Sequence, residues 1–250
     1  MSERRVYRIT GDDREDFLQN LVTNDVARLK DGLVWAALLT PQGKYLADFF
    51  LVPDGDAILV DVAEPLAAGL FQRLSMYKLR AKVMIEPVDI EVTRGLGDVP
   101  EGAFADPRHP SLGWRAYDGR PGQTVDWDAL RVAAGVPESG IELIPNDTFP
   151  LEVDFERLCG VDFRKGCYVG QEVTARMKHK TELRKGLRRV RIEGEAPVGT
   201  ELIAEDGRVA GTLYTQSGGE GLAYLRFDRA AGDMRAGDVL VRLADNGQGE

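Results

Sequence analysis

Phe163-Arg164-Lys165-Gly166-Cys167-Tyr168-Val169-Gly170-Gln171-Glu172-Val173-Thr174-Ala175-Arg176 places a thiol, three cations, two glycines and an amide–acid pair in one short stretch. Gly166 lets the backbone before Cys167 take φ > 0 or approach a ligand closely, and Gly170 closes the same loop. From Glu172 onward the pattern is helical, with Glu172 and Arg176 spaced for an i,i+4 pair and Val173 and Met177 on one apolar face. Cys167 is therefore expected at or just before a helix N-terminus. There the helix dipole, with Arg164 and Lys165, would favour thiolate over thiol. The competing reading is packing, since a free cysteine is most often a small buried hydrophobe.

Lys165-Gly166-Cys167-Tyr168-Val169-Gly170-Gln171-Glu172 resembles the signature Lys-Gly-Cys-Tyr-x-Gly-Gln-Glu of the YgfZ family. These are folate-binding proteins that support iron–sulfur enzymes and resemble the glycine-cleavage T-protein, an aminomethyltransferase. The resemblance extends to Thr23-Asn24-Asp25-Val26, Leu39-Thr40-Pro41-Gln42-Gly43-Lys44, Gly135-Val136-Pro137 and Pro150-Leu151-Glu152, and covers most of residues 7–190. It implies an α+β fold: an aminomethyltransferase-like, folate-binding core of antiparallel sheets with helices over residues 1–184, and a small C-terminal β-barrel over 185–250. It also allows two subdomains within that core, with a boundary near 86–90.

The function that the resemblance implies is a tetrahydrofolate-binding protein, or one that binds a derivative, assisting iron–sulfur cluster assembly or repair with client or assembly proteins as partners. Cys167 would supply the thiol, and Lys165 would bias it toward thiolate or contact an anionic ligand. Asn24, Asp48, Gly166, Tyr168, Gly170, Gln171, Glu172 and Arg176 would face the cofactor or hold the loop. For Asn24 and Asp25, turn and capping chemistry competes with ligand contact. A folate-dependent one-carbon transferase is the alternative from the enzyme class. Against it, the T-protein turn Gly-Gly-x-x-Asp-Asp reads Gly43-Lys44-Tyr45-Leu46-Ala47-Asp48 here, and the glutamate of its Arg-x-Glu-Ala-Gly is replaced at Ala133 in Arg131-Val132-Ala133-Ala134-Gly135.

The 250 residues suffice for a sizeable core, and 43% hydrophobic with 29% charged residues marks an ordinary globular composition. No apolar run reaches the length of a membrane span and no apolar signal core follows Met1-Ser2-Glu3-Arg4-Arg5-Val6, so a cytoplasmic location is the default expectation. Cys159 and Cys167 stand without a histidine cluster, which suggests neither a disulfide framework nor a zinc site. Net charge is −9, which argues against bulk electrostatic coating of nucleic acid. Yet residues 164–191 hold ten Lys/Arg against two acids, a net of +8. That run suits a solvated face, an anion site, or an RNA- or protein-binding adaptor.

In chain order, Asp12 or Asp13 can cap a helix through Val22, and Thr23-Asn24-Asp25 restarts a short second one. Val34–Leu39, Tyr45–Val52 and Ala57–Val62 read as strands, and Pro65 opens a helix carrying Leu66, Leu70, Phe71 and Leu74. Leu79, Ala81, Val83 and Ile85 alternate as a further strand, and the helices are expected to pack on one side of the sheet. Residues 93–121 read as mostly loop, broken by short pieces near Phe104 and Trp114, with His109 on the surface. Trp127–Ala134 reads as a helix stopped by Gly135, and 136–154 as a polar approach to the signature loop. Beyond Lys185, Leu187–Ile192, Glu201–Ala204, Val209–Thr215, Gly221–Arg226 and Val239–Leu243 give five short strands.

Overall fold

The computed structural model describes residues 3–180 and 182–244. Met1, Ser2 and the last residues of the expected 185–250 region lie outside it. The chain opens with β1 (Arg4–Thr10), α1 (Arg14–Gln19), β2 (Val34–Leu39), β3 (Tyr45–Asp54), β4 (Ala57–Ala63), α2 (Glu64–Lys78) and β5 (Met84–Val88). These strands form one antiparallel sheet in the order β2-β3-β4-β1-β5. Three short strands, β6 (Thr93–Gly95), β7 (Phe104–Ala105) and β8 (Trp114–Ala116), form a second sheet. After α3 (Trp127–Ala134) and α4 (Gln171–Lys180), strands β9 (Lys185–Glu193), β10 (Glu201–Ala204), β11 (Val209–Ser217), β12 (Glu220–Arg226), β13 (Met234–Ala236) and β14 (Val239–Leu243) close into a barrel.

β2 and β3 are buried on both faces. Val34, Ala36 and Leu38 join Phe17, Leu18, Leu70 and Leu74 of α1 and α2 in one core. Trp35, Ala37 and Leu39 face a second core with Phe50, Val153, Phe155 and Tyr168. The expectation of helices on one side therefore holds for α1 and α2, but the opposite face is not left to water. It is covered by residues 132–168, including the buried turn Pro150–Val153, so the "polar approach" to the signature loop is corrected: Leu143, Leu151, Val153, Phe155 and Leu158 are core.

One strand lies outside the sequence reading and two further features depart from it. β1 carries Arg4, Arg5 and Arg8 yet lies inside the sheet between β4 and β5, because those arginines pair with Asp61, Glu64 and Asp54. Leu79 does not begin a strand. It ends α2 at φ 37° and is 88% exposed, and β5 starts five residues later. The barrel has six strands rather than five, since Met234–Ala236 joins β10 to β14. α3 fits its sequence signals: Asp126 caps it by accepting from the Ala129 amide, and Gly135 ends it in the left-handed conformation, φ 64°.

The stretch read as mostly loop, 93–121, holds a buried ionic cluster. Asp106 accepts from both ends of the Arg108 guanidinium (3.0 and 2.8 Å) and from Arg115 Nε (3.1 Å). Arg115 also reaches Asp61 of β4 (3.4 Å) and stacks on Phe50 of β3 at 3.9 Å. Burial would raise the Asp106 carboxyl, but Arg108 and Arg115 outweigh it and hold it well below the usual carboxylate range. The cluster fixes the small sheet onto the large one.

A second network holds the barrel. Arg131 of α3 donates to the Val136 carbonyl (2.9 Å), Thr215 Oγ1 of β11 (2.9 Å) and Glu142 (3.3 Å), and Glu142 accepts from the Thr215 amide (3.2 Å) and hydroxyl (2.6 Å). Removing one partner of a buried ion pair leaves the other uncompensated and costs about 3–5 kcal/mol. Arg131→Ala should lower unfolding stability by about that amount in urea titrations, whereas Arg208→Ala, on an exposed pair with Asp206, should cost less than about 1 kcal/mol.

Candidate functional site

The signature loop is held at both ends, and its thiol points to solvent between the anchors. On the N-terminal side, the Asp162 amide donates to the Thr23 carbonyl (3.0 Å), and Asp162 Oδ1 accepts from the Arg164 amide (2.7 Å). Lys165, 8% exposed, donates from Nζ to the carbonyls of Gln19 (2.7 Å) and Val22 (2.5 Å), just past the end of α1. Burial lowers its pKa to about 8, against the smaller opposing pull of Asp25 and Asp162. Tyr168 is buried in the core, with the Lys165 ammonium 5.1 Å from its ring centre. Cys167, between these two buried side chains, is exposed.

On the C-terminal side, the loop lies against the β2–β3 turn. Gly170 has φ 84°, and a Cβ there would stand 2.6 Å from the Thr40 carbonyl oxygen and 3.1 Å from Gly43 Cα. Gly43 has φ 75°, and its Cβ would meet Val173 of α4 at 2.9 Å. Two glycines in left-handed conformations thus let two turns touch backbone to backbone, which a side chain on either would prevent. Thr174 Oγ1 then donates to the Gly170 carbonyl (3.2 Å) and continues the contact into α4.

The sequence candidates separate into loop and scaffold. Lys165, Gly166, Cys167, Tyr168, Gly170, Gln171, Glu172 and Arg176 share the loop and the first turns of α4, with Gln171 Nε2 reaching the Gly166 carbonyl (3.4 Å) and Glu172 pairing with Arg176 (3.1 Å) on the exposed face. The surroundings of four candidates bear on their roles. The Lys165 ammonium is fixed on two backbone carbonyls. Gly166 has no positive φ, and a methyl group on its Cα would meet no protein atom within 4 Å, so a left-handed turn does not explain it and its face is open. Asn24 is consumed by the fold: Nδ2 donates to the Trp35 (2.8 Å) and Cys159 (2.6 Å) carbonyls, and Oδ1 accepts from the Asp25 amide. Cys167 precedes the first residue of α4 by four, with the 168–170 turn between them.

Asp48 also belongs to the scaffold. Its carboxylate, 3% exposed, accepts from Trp35 Nε1 (2.9 Å), the Tyr45 hydroxyl (2.7 Å) and Ser139 Oγ (2.6 Å). Burial and the neighbouring Asp48 charge push the Tyr45 phenol well above its ordinary pKa, so it remains a donor. The cavity beside Asp48, walled by Arg4, Arg94, Arg108, Arg115 and Glu138, measures about 10 Å³. That is room for about one water molecule. A larger cavity of about 520 Å³ opens between α3, residues 154–157 and strands β9 and β12, where Ala133, Arg157, Leu187, Arg188, Arg189 and Leu222 line it. Its volume and mix of leucine and arginine suit a folate-sized ring system with a carboxylate tail.

The arginine cluster was missed in the sequence because Arg4, Arg94, Arg108 and Arg115 are spread along the chain and follow no period. Only the acids that join them, Asp61 and Asp106, reveal the grouping, and those too are remote in sequence.

Two substitutions test the anchoring. Gly170→Ala adds a methyl against the Thr40 carbonyl at a positive φ and should cost about 1–3 kcal/mol, read as a fall in Tm. Lys165→Met should change the pH dependence of stability. The folded-state pKa of about 8 lies below the ordinary 10.5, so the unfolded chain holds the extra proton between these values and stability rises with pH across that window. That rise should be missing from the Lys165→Met stability curve measured over the same window, and should appear in the wild-type minus variant difference.

The C-terminal β-barrel domain model of CAF17 matches residues 184–247. The mitochondrial iron–sulfur cluster assembly factor IBA57 of Mus musculus is 30% identical over 278 aligned positions, covering 92% of this chain and 78% of the relative. The Homo sapiens protein is 29% identical over 276, with the same coverages. Among solved structures, the glycine cleavage system aminomethyltransferase T of Bartonella henselae superposes with a TM-score of 0.77 over 98% of this chain and 84% of its own, at 14% identity. The aminomethyltransferase-like fold with a C-terminal barrel is thus the observed one. Both IBA57 relatives are named as mitochondrial, which overturns the cytoplasmic expectation; that expectation rested on the lack of an apolar segment. No described helix is long and apolar enough to cross a membrane. The chain belongs to the family of iron–sulfur cluster assembly factors that includes mouse IBA57.

Proposed function

We propose that this protein acts in iron–sulfur cluster assembly by presenting the Cys167 thiol, on its pinned loop, to a cluster carried by a partner protein. The observation that carries this reading is the exposure of Cys167 between two buried anchors, Lys165 and Tyr168. A thiol held so offers a sulfur ligand at fixed position without a loop-ordering cost on contact. The chain has two cysteines in all, too few to supply the four thiolates that commonly hold a cluster, so the partner must bring the others. The likeness of residues 165–172 to the YgfZ signature supports reading this loop as the working part. Cys159 is also exposed, but it lies outside the signature, at φ 56° in a turn whose carbonyl serves Asn24.

Tetrahydrofolate is proposed as a bound ligand, held in the 520 Å³ cavity by Arg157, Arg188 and Arg189 around the tail and by Leu187 and Leu222 against the ring. Reduced folates carry one-carbon units on their ring nitrogens. The wall that faces the ring offers Ala133 where the T-protein pattern has glutamate, and Asp48 is enclosed elsewhere. Losing a positioned acid or base typically costs about 10²- to 10⁴-fold in rate. Aminomethyl transfer is therefore the weaker reading.

The decisive experiment is complementation of a strain lacking this protein, scored by the activity of iron–sulfur enzymes. Cys167→Ser should fold with an unchanged Tm and fail to restore activity, while Cys159→Ser restores it; full rescue by Cys167→Ser would refute the thiol reading. Given aminomethylated carrier protein and tetrahydrofolate, the protein should release ammonia at least about 100-fold more slowly than a T-protein. Turnover at the T-protein rate would put the transferase reading first.

A further inference from the structure

At the C-terminal end of α4, away from the Cys167 loop, a cavity of about 490 Å³ opens between the helix, residues 182–185 and the end of β12. Its floor is Met177 and Leu183, both packed on the main core. Around the floor stand four cations, Lys180, Arg184, Lys185 and Arg226, and two carboxylates, Glu152 and Glu182. Glu152 is already engaged by the Tyr224 hydroxyl and lies 3.9 Å from Lys185 Nζ, and Arg226 lies 3.6 Å from Asp228. Among the described residues, Lys180 and Arg184 have no ion-pair partner. The rim thus carries a positive surplus on a chain whose net charge is −9.

We propose that this cavity docks an acidic segment of a partner protein, with one apolar side chain on the Met177–Leu183 floor and its flanking carboxylates on Lys180 and Arg184. The apolar floor distinguishes the site from a merely solvated basic face, since burial of a leucine-sized group there contributes beyond charge. It also favours peptide over nucleic acid. The lining residues include no aromatic ring on which a base could stack. α4 has ten residues and so spans about 15 Å, which sets the cavity at one end of the helix and the Cys167 loop at the other. A small domain seated across α4 reaches both. The role of the site, holding a cluster-bearing partner against Cys167, rests on the function proposed above; the binding site itself does not.

The test is fluorescence anisotropy with the full chain and a fluorescein-labelled peptide of glutamates around one central leucine. The peptide should bind, and binding should weaken about tenfold for each of Lys180→Glu and Arg184→Glu, the size expected of a lost and reversed contact worth about 1.4 kcal/mol. Both side chains are exposed, so both variants should keep the wild-type Tm. Replacing the central leucine of the peptide by alanine should also weaken it, and Cys167→Ser should bind as wild type does. Absence of binding, indifference to Arg184→Glu, or tighter binding of an oligouridylate of equal charge would overturn the proposal. Peptide binding at the cavity together with full complementation by Cys167→Ser would overturn its role in cluster assembly. Failed complementation by Arg184→Glu, with intact folding, would support that role.

Discussion

The contact of Gly43 with Gly170 is the constraint on which the site depends. Two chain reversals, one between β2 and β3 and one before α4, meet at backbone distance because neither carries a Cβ. Everything beyond follows from that approach. Val173 settles over Gly43, Thr174 bonds to the Gly170 carbonyl, and α4 leaves in a fixed direction. Lys165 supplies the opposing fastening at the end of α1, so the loop is stretched between two rigid elements of the first sheet domain. Cys167 is exposed by this arrangement and is not simply left at the surface. A free loop would need to be ordered at the moment of contact, at an entropic cost of roughly 1–2 kcal/mol per residue; this one is ordered beforehand.

The four arginines of the central cluster shape the molecule in another way. The space between the large sheet and the second sheet is filled by Arg108 and Arg115, which bind Asp106 and Asp61 there. Buried ion pairs of this kind give little net stability over apolar packing, and their gain is geometric definition. The consequence is chemical. Asp48 lies against this filled space with three donors on its carboxylate. The open volume lies instead beside Ala133, on the barrel side of α3.

The barrel joins these features into one unit. Glu142 takes both the amide and hydroxyl of Thr215, and Tyr224 bonds to Glu152 in the turn that precedes the signature loop. Gly186 sits close under the Glu152 carbonyl. The barrel therefore braces the 150–153 turn, and that turn lies beneath α4. Both cavities that involve the barrel, beside Ala133 and beside Leu183, exist because the barrel is docked at this angle.

Much of the molecule was written locally. Val34–Leu39 and Ala57–Val62 read as strands from their largely apolar runs, α3 from its Gly135 stop, and α4 from the spacing of Glu172 and Arg176. The signature of residues 165–172 marked the loop that proves to be exposed and fastened. What the sequence left open was decided by partners distant along the chain. Arg4, Arg5 and Arg8 hide β1 from any hydrophobic pattern, and only Asp61, Glu64 and Asp54 across the sheet neutralise them. Leu79 continues an alternation on paper, but α2 ends there and turns it out to water. Lys165 and Asp48 are fixed by groups remote in sequence, the Gln19 and Val22 carbonyls for one and Trp35, Tyr45 and Ser139 for the other. Local propensity and turn chemistry depend on neighbours within a few residues, so sequence could settle them; whether a charged side chain is free to do chemistry depends on which remote donors and acceptors the fold delivers to it, and that only tertiary structure decides.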